Sequence, residues 1–471
     1  MLSDRPIELL SATKSLCPYC LRRIPAIREQ QGDTVYLVKQ CPEHGTFRTV
    51  IWRGAVPFSS WLRPKKPSTP RLAFTEIENG CPFDCGLCPS HGQHTCTALI
   101  EITGRCNLHC PVCFADAGAG GEAAEPSLDR IGFLYDRILA ASGPCNIQLS
   151  GGEPTMRADL PEIIALGRAK GFSFIQLNSN GLRLAADPDY AVTLQQAGLA
   201  SVFLQFDGVS SASHIALRGR DLAAIKEQAL CNCRAAGLAV VLVPTLVPGI
   251  NTGEVGAIID YALRFAPTVR GVHFQPISYF GRYPQAPADT DRLTLPELLE
   301  LIETQSDGAI RIEHFAPPAC EHALCSFHGN FLIDEDSRLS LLGTGQAVCC
   351  STSEPAAKIP TAREGRDKSV AFTARQWSLP ALPTAVNTTC ACTNEPAAPS
   401  LDDLDRFLQR ARTHTFSLSA MAFQDVWNLD LERLQGCCVH VMSPDGKLTP
   451  FCAYNLTATT GRSLYRTGSR S

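Results

Sequence analysis

Two short runs carry cysteines at a spacing suited to iron: Cys106-x3-Cys110-x2-Cys113 and Cys81-x3-Cys85-x2-Cys88. Three thiolates so placed can bind three irons of a cubane cluster, which leaves the fourth iron open to another ligand. The same spacing suits a zinc knuckle or a closed electron-transfer cluster, so spacing alone does not decide between them. A different pattern stands near the start, where Cys17-Pro-Tyr-Cys20 is followed by Cys41-Pro-Glu-His44. A C-x2-C paired with a C-x2-H matches a mononuclear tetrahedral site. Zinc is the ion those ligand types indicate; a rubredoxin-like iron, which usually takes four thiolates, is the alternative. In the C-terminal third, Cys320 with Cys325, and Cys437-Cys438-Val-His440 with Cys452, are candidates for auxiliary clusters. Cys349, Cys350, Cys390 and Cys392 are weaker candidates.

The chain has 22 cysteines in 471 residues, and their clustered spacings favour metal ligation over disulfides in a long cytosolic chain. Cys145, Cys231 and Cys233 read as ordinary small buried residues, and His109 as a solvent-facing residue or one that supports the ligands, not as a ligand. A formal charge of −4 and no basic run longer than Lys65-Lys66 argue against nucleic acid as a partner. The first residues lack the basic start and apolar stretch of a signal peptide, and Pro244 and Pro248 interrupt the most apolar segment, Leu238 to Ile250. A cytoplasmic protein without a transmembrane segment is the expectation.

The chemistry needs elements that hold the Cys106 loop open at one end. Short apolar runs alternate with amphipathic stretches from about Ala98, as in a parallel α/β domain. Candidate strands are 98–102, 146–149, 174–178, 201–206, 239–245 and 271–275, with helices at 128–141, 159–170, 188–197, 221–236 and 254–265. Six such units predict a partial (β/α)6 barrel with its site at the carboxyl ends of the strands. The division expected is a metal ribbon at 1–55, a linker and cysteine loop at 56–95, the barrel at 96–318, and a cysteine-rich C-terminal region at 319–471. Within that region 354–400 reads as a loose tract and 401–412 as a helix. The Cys106 loop follows the first strand, whereas the Cys81 loop precedes the barrel and reads as an auxiliary cluster. Cys96 is either its fourth ligand or a plain residue entering the first strand.

Ser150-Gly151-Gly152-Glu153-Pro154, directly after the second strand, resembles the GGE motif of radical S-adenosylmethionine (SAM) enzymes. The resemblance implies a [4Fe-4S] cluster on Cys106, Cys110 and Cys113, with SAM chelating the open iron through its amino and carboxylate groups. One electron would then cleave the sulfonium to a 5′-deoxyadenosyl radical. Gly151, Gly152 and Glu153 would meet the SAM amino group, and Asn178, Asn180 and Asp207 stand at later strand ends where they would surround the cofactor. A non-catalytic iron-sulfur electron carrier, the alternative from another class, has no use for such a motif.

Further stretches resemble one branch, the archaeal tetraether lipid synthases and their bacterial relatives, also described as radical SAM 7,8-dihydro-6-hydroxymethylpterin methyltransferases. They are Cys-Pro-Glu-His-Gly at 41–45, Gly-Cys-Pro-Phe-Asp-Cys-Gly-Leu-Cys-Pro at 80–89, Phe-Gln-Pro-Ile-Ser-Tyr-Phe-Gly-Arg at 274–282 and Pro-Phe-Cys-Ala-Tyr-Asn at 450–455. The resemblance implies hydrogen abstraction from a lipid chain and carbon-carbon coupling, with methyl transfer to a pterin-like heterocycle as the rival. Under it, Cys81, Cys85 and Cys88, with tail cysteines such as Cys320, Cys325, Cys438 and Cys452, would hold auxiliary clusters. It also implies a ferredoxin or flavodoxin as reductant, and peripheral membrane contact if the substrate is a lipid.

Overall fold

The computed structural model describes residues 6–117, 125–283, 285–342, 359–380 and 403–466. Strands β1 (Ile7–Leu16), β2 (Arg23–Gln31), β3 (Thr34–Cys41) and β4 (Gly45–Arg53) form an antiparallel meander. Beyond the meander, Phe58 and Trp61 of the expected linker are buried and pack on Trp52 at ring-centroid distances of 5.9 and 6.1 Å.

The barrel strands are β5 (Thr97–Thr103), β6 (Asn146–Gly151), β7 (Ile175–Ser179), β8 (Ser201–Gln205), β9 (Ala239–Val243), the short β10 (Thr245–Leu246) and β11 (Val269–Pro276). Neighbours run parallel in the order β5-β6-β7-β8-β9-β11, the right-handed βα succession that alternating apolar runs and amphipathic helices produce. Alternation along each strand assigns the two faces. Ile100, Ile147, Leu149, Leu177, Leu204, Leu242 and Val272 belong to the core that includes the covering helices. The residues that alternate with them along each strand line the opposite, inner face.

The C-terminal region differs from expectation. Its strands are β12 (Ser326–Ile333), β13 (Leu339–Leu341), β14 (Thr415–Met421), β15 (Val439–Met442) and β16 (Leu448–Pro450), and they extend the barrel sheet at both edges. β14 lies parallel beside β11 and β15 parallel beside β5. Both edges of an open barrel expose unpaired backbone groups, and tail strands too short for a core of their own satisfy them. The tract expected to be loose holds a helix, Ala362–Gln376, started by a capping box of Thr361 and Glu364. It crosses the amino-terminal ends of the strands: Arg366 Nε donates to Thr95 O at 2.8 Å, and Arg270 Nε donates to Gln376 O at 3.1 Å. Cys349, Cys350, Cys390 and Cys392 lie outside the described residues.

The ribbon is tied to the tail by a buried ion pair. Arg28 Nη2 stands 2.6 Å from Asp430 Oδ2, and Arg28 Nη2 also reaches Glu432 at 2.6 Å.

Candidate active site

The Cys106, Cys110 and Cys113 side chains lie half-buried in the loop after β5, where the carboxyl ends of parallel strands place functional groups. The loop is held from two sides. Arg282 and Cys113 exchange backbone hydrogen bonds, each 3.0 Å, while Arg282 Nε donates to Cys110 O at 3.0 Å and its guanidinium pairs with Asp116 at 3.0 Å. On the other side Arg218 Nη1 donates to Val112 O at 3.1 Å. Burial pushes the Cys106 thiol up to about 11, and the negative charges of Glu153, Cys110 and Cys113 add to the shift.

Gly151 and Gly152 press directly on this loop. A Cβ built on Gly151 would lie 2.2 Å from Thr103 O, and one on Gly152 would lie 2.2 Å from Arg105 O. Backbone oxygens cannot yield as a flexible side chain can, so both positions require glycine. The close approach is used: Gly152 N donates to Thr103 O at 2.9 Å and Glu153 N to Arg105 O at 2.8 Å. A Gly152→Ala variant is therefore expected to push the cluster loop outward. Its SAM cleavage should fall by about 100-fold or more, with the zinc of the ribbon retained; 5′-deoxyadenosine assay and metal analysis on the same sample check this.

Glu153 is buried and turned inward. Its Oε1 accepts from Thr155 Oγ1 at 2.6 Å and Ser179 Oγ at 2.9 Å, and its Oε2 from Asn180 N at 2.7 Å. It thus joins the end of β6 to the end of β7. Asn180 Nδ2 in turn donates to Asn107 Oδ1 in the cluster loop at 2.7 Å. Asn178 stands apart, because its buried Oδ1 has no hydrogen-bond partner among the described residues. An unpaired buried acceptor at a barrel strand end fits a hydroxyl donor from a bound nucleoside, and this is the observation that fits SAM here.

Asp207, expected among the SAM contacts, is fully buried and saturated by protein donors. Arg218 grips it at 2.6 and 2.7 Å, and Gln205 Nε2 donates to it at 2.8 Å. Through Arg218, which also donates to Val112 O, it is linked to the loop of Cys106, Cys110 and Cys113. Sequence reading missed Arg218, Arg282 and Lys226. Arg218 and Lys226 sit in helical patterns whose apolar periodicity marks them as surface positions, although Arg282 lies within the quoted 274–282 motif. Lys226 is buried, with Nζ donating to Asn180 O at 2.6 Å; burial lowers it to about 8, opposed by Asp207.

Further thiol groups lie outside this loop. In the ribbon, Cys17, Cys20, Cys41 and His44 have their ligand atoms within 4.8 Å of one another. Thiolates about 2.3 Å from one tetrahedral ion stand roughly 3.8 Å apart; Cys20 and Cys41 Sγ are 3.9 Å apart, and His44 Nδ1 is 3.6 and 3.4 Å from Cys17 and Cys41. These residues fit a single zinc. Cys41→Ser is expected to remove one zinc per chain and leave the iron content unchanged, as elemental analysis would show.

Cys96, Cys320 and Cys438 form a second buried trio within 4.8 Å, with Cys96 and Cys438 Sγ 3.0 Å apart. Two expectations change. Cys96 belongs with the tail and not with Cys81, Cys85 and Cys88, because β15 lies beside β5. The tail group also spreads: Cys325, Cys437 and Cys452 line a neighbouring pocket whose wall Cys438 shares. Of the adjacent Cys437 and Cys438, it is Cys438 that joins Cys96 and Cys320 in the trio. Arg433 Nη2 donates to Cys325 Sγ and Gln424 N to Cys452 Sγ, each at 3.2 Å, which suits thiolates carrying charge. Cys233 is buried as expected, but Cys231 is exposed.

Comparisons with known proteins agree with this arrangement. Residues 100–262 match the radical SAM superfamily, and residues 9–53 match the HMPTM N-terminal zinc ribbon domain. A 7,8-dihydro-6-hydroxymethylpterin dimethyltransferase of Methanocaldococcus jannaschii is 34% identical over 94% of this chain and 93% of its own length. An Fe-coproporphyrin III synthase of Methanosarcina barkeri is 33% identical over 39% of this chain and 44% of its own. Among solved structures, Streptococcus suis SuiB bound to S-adenosylmethionine has 12% identity and a TM-score of 0.37, covering 46% of this chain and 48% of that one. The chain is a radical SAM enzyme and belongs to the family of the 7,8-dihydro-6-hydroxymethylpterin dimethyltransferase.

Proposed function

We propose that this enzyme transfers a methyl group to a small pterin-like heterocycle, and that it does not join lipid chains. The name of the M. jannaschii relative supports this reading over lipid coupling. The observation that carries it is the chemistry of the inner face. Gln148, Gln176, Asn178, Gln205, His273, Gln275 and Ser419 alternate with the core residues there. Gln148 Nε2 donates to Gln176 Oε1, and Gln176 Nε2 to Ser201 Oγ, each at 2.8 Å. Amides can present donors and acceptors together, as the edge of a pterin does. The apolar inner-face residues Phe203, Val241 and Val243 gather against Trp377, the residue that ends the Ala362–Gln376 helix, and covered in this way they are badly placed to line an open alkyl tunnel.

In this reading Cys106, Cys110 and Cys113 hold the SAM cluster, and Glu153 and Asp207 fix the strand ends around it. A cluster bound there supplies the electron that cleaves SAM, and a ferredoxin or flavodoxin replenishes it. Cys81, Cys85 and Cys88, and the tail thiols, hold auxiliary metal. Among the described residues no helix is long and apolar enough to cross a membrane. The test is anaerobic turnover of reduced protein with SAM, comparing 7,8-dihydro-6-hydroxymethylpterin with membrane lipid extract. The pterin should accelerate 5′-deoxyadenosine formation; acceleration by lipid alone would return the reading to carbon-carbon coupling.

A further inference from the structure

The Cys81, Cys85 and Cys88 loop is held by hydrogen bonds to groups other than its thiols. Asp84 Oδ2 accepts from the backbone N–H groups of Glu78, Asn79 and Gly80 at 2.8, 2.7 and 2.6 Å. From the tail, Tyr465 Oη accepts from Cys85 N at 2.9 Å and donates to Pro82 O at 2.6 Å. The three cysteines line one pocket, and His91 lines it with them. A turn brings the imidazole back, with His91 N donating to Cys88 O at 2.9 Å.

The protonation of this histidine follows from its partners. His91 Nε2 lies 2.7 Å from Cys437 O, and a carbonyl only accepts, so Nε2 carries the proton. His440 Nε2, 3.2 Å from the same atom, must then present its own lone pair, and His440 keeps its proton on Nδ1. That Nδ1 is buried without a partner among the described residues, so the pair gives up one hydrogen bond to keep this arrangement. The outcome for His91 is an Nδ1 lone pair on a ring only 6% exposed. An imidazole whose N–H is held by a backbone carbonyl is oriented as metal-bound histidines are.

We propose that His91 is the fourth protein ligand of the auxiliary cluster on Cys81, Cys85 and Cys88, through Nδ1. This rests on the reading that those cysteines hold a [4Fe-4S] cluster. A fourth protein ligand closes the cluster, so it binds neither SAM nor substrate and serves electron transfer. A neutral imidazole in place of a thiolate also raises its reduction potential.

The experiment uses full-length, anaerobically reconstituted protein, labelled with 15N only at histidine, reduced, and measured without SAM by pulsed EPR. The wild type should show a 15N coupling that disappears in both His91→Ala and His91→Cys. His91→Cys should retain the iron of the wild type and titrate at a more negative potential, a change that a merely structural histidine would not cause. If the coupling persists in the His91 variants, or if none is seen while iron analysis finds the cluster present, His91 is not a ligand and Asp84 or solvent takes the position. If Cys81→Ala/Cys85→Ala/Cys88→Ala loses none of the roughly four irons expected of one cluster, the underlying cluster reading fails instead.

Discussion

Cys106→Ala should lose about four irons per chain and cease to form 5′-deoxyadenosine, with a drop of at least about 1,000-fold relative to the wild type. The effect is large because the position has no substitute. Cys110 and Cys113 alone cannot hold a cubane with one open iron. The second three-cysteine loop cannot stand in, since its cavity is lined by Leu434, Gln435 and Pro450 of the tail and it does not face the glycines after β6. The zinc of the ribbon should be unaffected, because its four ligands lie in β3 and the turns around the meander. Anaerobic iron and zinc analysis with mass spectrometry of the nucleoside, on one sample, checks all three points. A variant that keeps full iron and full cleavage would move the SAM site elsewhere in the chain.

Arg218→Met should destabilise the protein by about 3–5 kcal/mol, the usual cost of breaking a buried ion pair from one side. Asp207 is fully buried and its partner nearly so, so the variant leaves a carboxylate with only Gln205 and the Thr245 N–H as donors. Burial alone would lower the Arg218 pKa, but the negative charge of Asp207 and then Cys110 more than offset it, and the net direction is up. The same substitution removes the donor to Val112 O, so SAM cleavage should fall as well. The double variant Arg218→Met/Asp207→Asn separates the two effects: it should recover much of the stability and little of the activity. Thermal unfolding and the 5′-deoxyadenosine assay, run on both variants, read these outcomes.

Much of this was legible in the sequence for a physical reason. Parallel strands buried on both faces read as short apolar runs and helices with one apolar stripe show their period, and all six barrel strands lie close to where that succession put them. The glycines after β6 were legible as a motif, and their cause is the 2.2 Å approach to backbone oxygens. The helix Ala362–Gln376 was not, because it buries polar groups such as Arg366 and shows little apolar periodicity. Nor was the pairing of Cys96 with Cys320 and Cys438: it depends on β15 docking beside β5, a contact across more than 300 residues that spacing cannot encode. Asp207 was legible as a strand-end acid, but its work on Arg218 is visible only in three dimensions.

The most direct test of methyl transfer to a heterocycle uses SAM deuterated at its methyl group, with reduced wild-type protein and a reduced pterin under anaerobic conditions. The account predicts that the pterin gains mass from the labelled methyl group, that 5′-deoxyadenosine forms alongside it, and that both vanish in Cys106→Ala. If 5′-deoxyadenosine forms while the pterin stays unlabelled and lipid chains become joined, the methyl-transfer account is contradicted.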